Sequence, residues 1–326
     1  MSVSTVARPG AVRIEPAYDD PAAVLQVIRA VPEYWPLARY APSPEEMVAV
    51  GGDVATASYV PPWFRRDFAL AGDPLVPGAE LILHNDRFVH STHAVFGAAA
   101  IVRPTTVYVN VMVPSVAPFQ PHLDVPAFRG ITRANYPLWL LHQMMFSGLF
   151  EPWRVKLATA VSWFYEGRGG EFHYWPDGPE RDGAVERPPF RNVAVLADNE
   201  RTYHGVAPVG GSTARLVQGL SRESLLHRVP GGWEMRNGDT SCGSATDDDV
   251  RITVSWKAEV FADADECARA DDHTDDLTLD AVVDTFLADL HRRGIDAVAP
   301  GDPLGDRSWV ALISSTYGRP GPRVPD

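Results

Sequence analysis

Short apolar runs broken by Pro and Gly dominate this chain, and few of them are long enough for extended helices. Residues 1–75 are punctuated by Pro and carry two helical candidates. Asp20-Pro21 supplies an N-cap followed by Pro at the first helical position, and Ala23, Leu25, Val27 and Ile28 give that segment an apolar side. Ser43-Pro44-Glu45-Glu46 opens the second candidate in the same way. Between roughly 79 and 113 the pattern changes to strand, with Leu81-Ile82-Leu83 and the β-branched run Thr106 to Val113. Residues 136–150 read as a buried helix. A hairpin is expected next: Ala158 to Tyr165, a turn at Glu166-Gly167-Arg168-Gly169-Gly170, and a return over Glu171 to Trp175. Asn192 to Ala197 is a further short strand. Residues 207–250 look like an irregular insert looping over one edge, ahead of a strand at 250–261. In that strand Arg251, Thr253 and Ser255 share one face, and Ile252, Val254, Trp256 and Val260 share the other. Thr278 to Arg293 has apolar residues at helical spacing. No internal repeat is present.

Short strands with helices mainly before and after them predict a mainly β fold with flanking helices, of the sandwich or jelly-roll kind. The division expected is a helical N-terminal extension over 1–78, a β core over 79–262 with the insert at about 207–250, and a C-terminal helix and tail over 263–326. The chain has 326 residues, 45% of them hydrophobic, which suits one catalytic domain with extensions. Its 42 acidic and 29 basic residues give a net charge of -13, which argues against nucleic acid or an anionic membrane as the main partner. Cys242 and Cys267 make neither a disulfide framework nor a zinc-ribbon spacing. The first ten residues lack an apolar signal core, and no 18-residue apolar run occurs. A cytoplasmic protein acting on a small molecule, as a monomer or a homodimer, is the expectation.

The candidate chemistry lies in His122, Asp124, His204 and Arg251. Two His and one carboxylate can occupy one face of an Fe(II) ion and leave its other positions open. His-x-Asp is common here, since His84-Asn85-Asp86, His122-Leu123-Asp124 and His273-Thr274-Asp275 all match it. Context selects among them. His273 sits in an acidic linker, and His84 leads into a turn-like Asn85-Asp86-Arg87. His122-Leu123-Asp124 is followed by Gly169-Gly170-Glu171-Phe172 and then by His204. An Arg with a hydroxyl two residues on can clamp a carboxylate, which favours Arg251 with Thr253, while Arg215 is the competitor nearer to His204. The polar face of that strand is equally compatible with a wet outer surface.

Tyr165-Glu166-Gly167-Arg168-Gly169-Gly170-Glu171-Phe172 resembles a segment of prolyl-hydroxylase-like members of the Fe(II)/2-oxoglutarate-dependent dioxygenases, in which a Gly-Gly-Glu turn follows the metal-binding His-x-Asp. Arg251-Ile252-Thr253-Val254-Ser255-Trp256 is similar to their Arg-bearing strand, and the resemblance spans about residues 105–261. It departs from the family in the roughly 45 residues between His204 and Arg251, where the family has a short link. The resemblance implies a cupin-like double-stranded β-helix, Fe(II) on His122, Asp124 and His204, and 2-oxoglutarate as co-substrate with O2. Its distal carboxylate would be held by Arg251, assisted by Thr253, Ser255 or Tyr174. The implied reaction hydroxylates an unactivated C–H and releases succinate and CO2. A carboxylate at Asp124, where halogenating relatives carry a small residue, favours hydroxylation, desaturation or ring formation over halogenation. Arg129, Trp163, Tyr165 and Trp175 are the substrate-binding candidates, and His142 and His173 read as structural. The alternatives are a cupin-like iron dioxygenase indifferent to 2-oxoglutarate and a non-catalytic jelly-roll binding protein. A zinc hydrolase lacks its His-Glu-x-x-His signature.

Overall fold

The computed structural model describes residues 4–8, 10–40, 59–318 and 322. Seventeen strands run in chain order as β1 (Ser4–Arg8), β2 (Ala11–Glu15), β3 (Glu33–Pro36), β4 (Trp63–Leu70), β5 (Asp73–Pro74), β6 (Ile101–Met112), β7 (Phe119–His122), β8 (Ala127–Phe128), β9 (Arg154–Tyr165), β10 (Phe172–Trp175), β11 (Ala184–Glu186), β12 (Phe190–Ala197), β13 (Tyr203–Val206), β14 (Leu225–Val229), β15 (Gly232–Asn237), β16 (Thr240–Thr246) and β17 (Arg251–Phe261). They form two antiparallel sheets. The larger runs β1-β2-β12-β9-β17-β6-β4-β3-β14-β15-β16, and the smaller β11-β10-β13-β7.

At the centre, the chain passes back and forth between the sheets. β6, β9, β12 and β17 lie in the large sheet, and β7, β10, β11 and β13 lie in the small one. These eight strands make the jelly roll. The two sheets enclose an apolar layer that includes Trp63, Met112, Trp163, Phe172, Phe190 and Val206. The opposite face of the large sheet carries the larger core, in which Val107, Val109, Ile252, Val254 and Trp256 meet the helix Pro21–Ala30 and the helix Asp86–Phe96. A third apolar cluster joins Phe128 and Phe150 to the helices Leu138–Ser147, Leu279–Arg292 and Arg307–Tyr317.

Local sequence explains most boundaries. The Asp20 carboxylate accepts from the Ala23 N–H at 2.9 Å and Pro21 takes the first helical position, as expected. Thr278 caps the helix Leu279–Arg292 in the same way. The second N-terminal helix expected at Ser43 lies outside the described residues. No helix among the described residues is long and apolar enough to cross a membrane.

Four expectations change. Leu81-Ile82-Leu83 is not strand: Glu80–Leu83 is one helical turn, entered through Gly78 at φ +87°. Asn85 then caps the helix Asp86–Phe96, with its side chain accepting from the N–H groups of Arg87 and Phe88. Secondly, β9 and β10 are not a hairpin. They pair with different partners in different sheets, and the Gly169-Gly170 segment between them, both residues at positive φ, carries the chain across. Thirdly, the described part of residues 1–78 is not chiefly helical. It contributes β1 to β5, which extend the large sheet on both sides, and one ten-residue helix.

The fourth change concerns residues 207–250, half of which, 225–246, form the meander β14-β15-β16 at the far edge of the large sheet, joined there through β3. Its two turns are Pro230-Gly231 and Gly238-Asp239, each with a Gly at positive φ. Trp233 anchors it, fully buried and packed edge-to-face on Tyr34 at 5.6 Å. Trp233→Ala should therefore lower the unfolding free energy in urea by about 3–5 kcal/mol. A loss below about 0.5 kcal/mol, the usual size of a surface substitution, would mean that the meander is a loosely attached loop.

Candidate metal centre and cavity

His122 ends β7 and stands opposite His204 on β13, so sheet pairing alone brings the two rings together, with centroids 4.4 Å apart. Asp124 lies just past the end of β7, where its N–H donates to the Asn199 carbonyl at 2.9 Å and keeps the chain beside the small sheet. One ligand atom from each of His122, Asp124 and His204 lies within 4.8 Å of the others. Among the described residues this is the one cluster of His, Cys, Asp or Glu close enough to share an ion.

The rings are oriented for that purpose. His122 Nδ1 is 2.9 Å from the Gln120 carbonyl, and His204 Nδ1 is 3.0 Å from the Thr202 carbonyl. A carbonyl only accepts, so each Nδ1 carries the hydrogen and each Nε2 offers a lone pair. Burial lowers the His122 pKa to about 3, with the neighbouring His204 acting in the same direction, so the imidazole is neutral at pH 7. Burial works to raise the Asp124 carboxyl, but Lys257 and the two imidazoles outweigh it and hold it well below the usual carboxylate range. Two imidazole nitrogens and one carboxylate oxygen facing a common point fit a divalent transition-metal ion such as Fe(II).

The triad opens onto a cavity of about 440 Å³ between the sheets. Its floor is set by strand register. Opposed residues on neighbouring strands share a face, so they form rows across β9, β17, β6 and β4. One row is Arg251, Met112 and Trp63; the next is Trp163, Thr253, Asn110 and Arg65. Beyond these come Val161, Ser255, Tyr108 and Asp67, and then Thr159, Lys257 and Thr106. The polar face of β17 is thus an interior wall rather than a wet surface: Arg251 is 0% exposed, Thr253 6% and Ser255 4%.

Arg251 is a buried cation without a carboxylate partner among the described residues. Its Nε donates to the Gly170 carbonyl at 2.8 Å and its Nη1 to Thr253 Oγ1 at 2.5 Å, while Nη2 has no partner. Trp163 and Phe190 flank it, with ring centroids at 5.9 and 5.5 Å. A Cβ on Gly170 would lie 2.8 Å from Arg251 Cδ, so the absence of a side chain there makes room for the guanidinium. Burial pushes the Arg251 pKa down to about 9, which leaves it cationic at neutral pH. A buried guanidinium of this kind is stabilised by an anionic ligand that supplies the missing acceptor.

The other expected site residues divide. Thr253, Ser255 and Trp163 line the cavity with Arg251. Arg215 is exposed on the chain segment after His204 and does not reach it. Tyr174 stacks on Phe172 at 5.6 Å and its hydroxyl donates to Glu186, outside the cavity. The Tyr165 hydroxyl donates to the Arg168 carbonyl at 2.7 Å, and Trp175 stacks with His173; neither lines the cavity. Arg129 is buried elsewhere, where it donates to both oxygens of Asp275 and to the Pro152 carbonyl. Its charge is already matched, so it does not supply the substrate contact expected of it.

Sequence reading overlooked Lys257, Arg65, Asn110 and Tyr108. Lys257 continues the two-residue period of Arg251, Thr253 and Ser255, which was a usable signal. Arg65, Asn110 and Tyr108 reach the cavity only through the pairing of β4 with β6 and of β6 with β17, and no motif marks them. His142, read as structural, lines the outer part of the cavity, with its ring on Phe146.

No protein-family model matches the chain. No curated protein matches it either. Among solved structures, a 2-oxoglutarate-Fe(II) oxygenase family protein from Burkholderia pseudomallei is similar at 14% identity over 77% of this chain and 85% of that one, with a TM-score of 0.43. A Pseudomonas putida prolyl-4-hydroxylase is similar at 14% identity over 77% and 92%, with a TM-score of 0.35. A Streptomyces hygroscopicus protein solved with nickel, 2-oxoglutarate and hygromycin B is similar at 9% identity over 77% and 83%, with a TM-score of 0.36.

His142 gives the site wall a pH signature. Burial lowers its pKa from 6.5 to about 4. The unfolded chain therefore takes up a proton that the folded chain refuses, and stability is lost as pH falls from 6.5 towards 4. In His142→Phe, the thermal midpoint should decline less steeply across that window than in the wild type. Equal slopes would show that His142 is not a source of the acid sensitivity.

Proposed function

We propose that the protein is an Fe(II)- and 2-oxoglutarate-dependent oxygenase that hydroxylates an unactivated C–H of a small molecule. The observation that carries this reading is the pairing, on one cavity, of a His-Asp-His metal centre with a buried arginine lacking a carboxylate partner. His122, Asp124 and His204 hold the iron, and three ligands leave positions open for a chelating co-substrate and O2. Bound there, iron supplies the oxidative chemistry that converts 2-oxoglutarate to succinate and CO2 and hydroxylates the substrate.

The chain's own residues bind, orient and exclude water. Arg251 takes the far carboxylate of 2-oxoglutarate through Nη1 and the unpartnered Nη2, with Thr253 holding the guanidinium in place. Trp163, Phe172 and Val206 keep that end of the cavity apolar. The outer part offers Arg65, Arg133, Tyr40, Tyr108, His142 and Phe146. Its size suits a small molecule, such as an amino acid or a biosynthetic intermediate, and Arg65 there is already paired with Asp67.

Asp124→Ala should weaken metal binding, measured by isothermal titration with Co(II), to the residual affinity of the two histidines, and should abolish 2-oxoglutarate-dependent succinate release. Unchanged succinate release would rule out the ligand assignment. Arg251→Met should weaken 2-oxoglutarate binding by about 2 kcal/mol or more, roughly 30-fold, and leave metal affinity near that of the wild type. Arg215→Met should change neither. If Arg251→Met binds 2-oxoglutarate normally, the cavity belongs to an iron enzyme of another kind.

A further inference from the structure

The two oxygens of Asp124 are in different surroundings. Oδ1 lies 3.7 Å from His204 Nε2, on the side of the imidazoles. Oδ2 accepts from Lys257 Nζ at 2.6 Å. Both side chains are 15% exposed, so water competes little for this contact.

The two partners are held very differently. Asp124 belongs to no strand and falls between β7 and β8. Lys257 sits on β17, the strand paired on both sides, opposite Thr159 on β9 and Thr106 on β6. It lies two positions beyond Ser255 on the inward face, and its ammonium also approaches the Tyr108 ring, 6.0 Å from the centroid. A connecting segment of the small sheet is thereby tied to the central strand of the large one. A carboxylate turns about its last bond between two nearly equivalent arrangements. A fixed ammonium on one oxygen removes that equivalence.

From this geometry we infer that Lys257 is a positioning residue for the metal centre, holding Asp124 Oδ2 so that Oδ1 alone is presented to the ion. The inference rests on the metal-site reading above. One carboxylate oxygen and two imidazole nitrogens make three protein ligands. Were Asp124 free to bind through both oxygens, the protein would occupy a fourth position and leave one fewer for small ligands. The lysine acts through the aspartate and is not itself among the cavity-lining residues, the last of which on this strand is Ser255.

The test is Co(II) binding to the metal-free full-length protein, followed by the Co(II) absorption bands and by isothermal titration. K257M should bind Co(II) about 10–100-fold more weakly than the wild type, the usual effect of losing the partner of a metal-ligating side chain. K257R, which keeps the charge and a donor, should recover most of the loss. In a D124A background K257M should cause no further weakening, because the lysine has nothing left to position. Circular dichroism checks folding, and if K257M is non-native, the uncharged K257Q takes its place with the same thresholds. Wild-type-like or tighter Co(II) binding by the folded K257M overturns the inference. So does an equal loss in the D124A background, which would make the lysine's role merely structural. If the wild type itself fails to bind Co(II), the metal-site reading falls before the role of Lys257 is reached.

Discussion

Successive side chains of a β-strand point to opposite faces, and along β17 this alternation has to satisfy two environments at once. Ile252, Val254, Trp256 and Ala258 complete the main core. Arg251, Thr253, Ser255 and Lys257 face the space between the sheets. A slip of one residue in the pairing of β17 with β6 and β9 would drive a guanidinium and an ammonium into the core and turn a tryptophan into the cavity. The register is therefore fixed by the cost of that exchange, and the spacing from Arg251 to Lys257 fixes how far the two cations stand apart. The cavity derives its geometry from the sheet.

The interior charges are arranged unevenly. The ammonium of Lys257 has its carboxylate, and Arg154, also buried, is matched by Asp198 and Glu200. Among the described residues, Arg251 is surrounded by a carbonyl, a hydroxyl, the Met112 sulfur and aromatic rings. In a chain with net charge -13, carboxylates to pair with it were not scarce. Leaving this cation unmatched destabilises the unliganded fold, which is the pattern expected where an anion belongs to the working state.

Five of the eight central strands, β6, β9, β10, β12 and β17, and the triad were legible because they depend on short-range pattern, whereas β7, β11 and β13 were not read as strands. Period-two alternation marked β17, and short apolar or β-branched runs marked β6, β9 and β12. His122 and Asp124 stood within three residues of each other, and His204 followed a turn. The misreadings had long-range causes. Two strands joined by a Gly-rich link look like a hairpin unless one knows that their partners lie in different sheets. Arg65 and Asn110 face the cavity only because β4 pairs with β6, a contact no local pattern reveals. Arg129 and Arg251 look alike in sequence, and what separates them is that Asp275 pairs with the first while no carboxylate among the described residues bonds to the second. The meander lies in a stretch rich in Gly, Ser and Asp whose composition resembles a loop, although Pro230-Gly231 and Asn237-Gly238 are turn signals.

The path of the chain between β13 and β17 has a consequence for how such a site can change over time. After His204 the polypeptide leaves the jelly roll, builds β14 to β16 at a distant sheet edge, and returns at Arg251. The two ends of this excursion are fixed by barrel pairing, so its length is nearly independent of the distance between the residues it links. Loop closure grows only logarithmically with length, about 0.6 kcal/mol per doubling. Lineages can therefore add or prune residues in this stretch while the spacing of the cavity residues stays constant, and the separation of His204 and Arg251 in sequence carries little information about their separation in space.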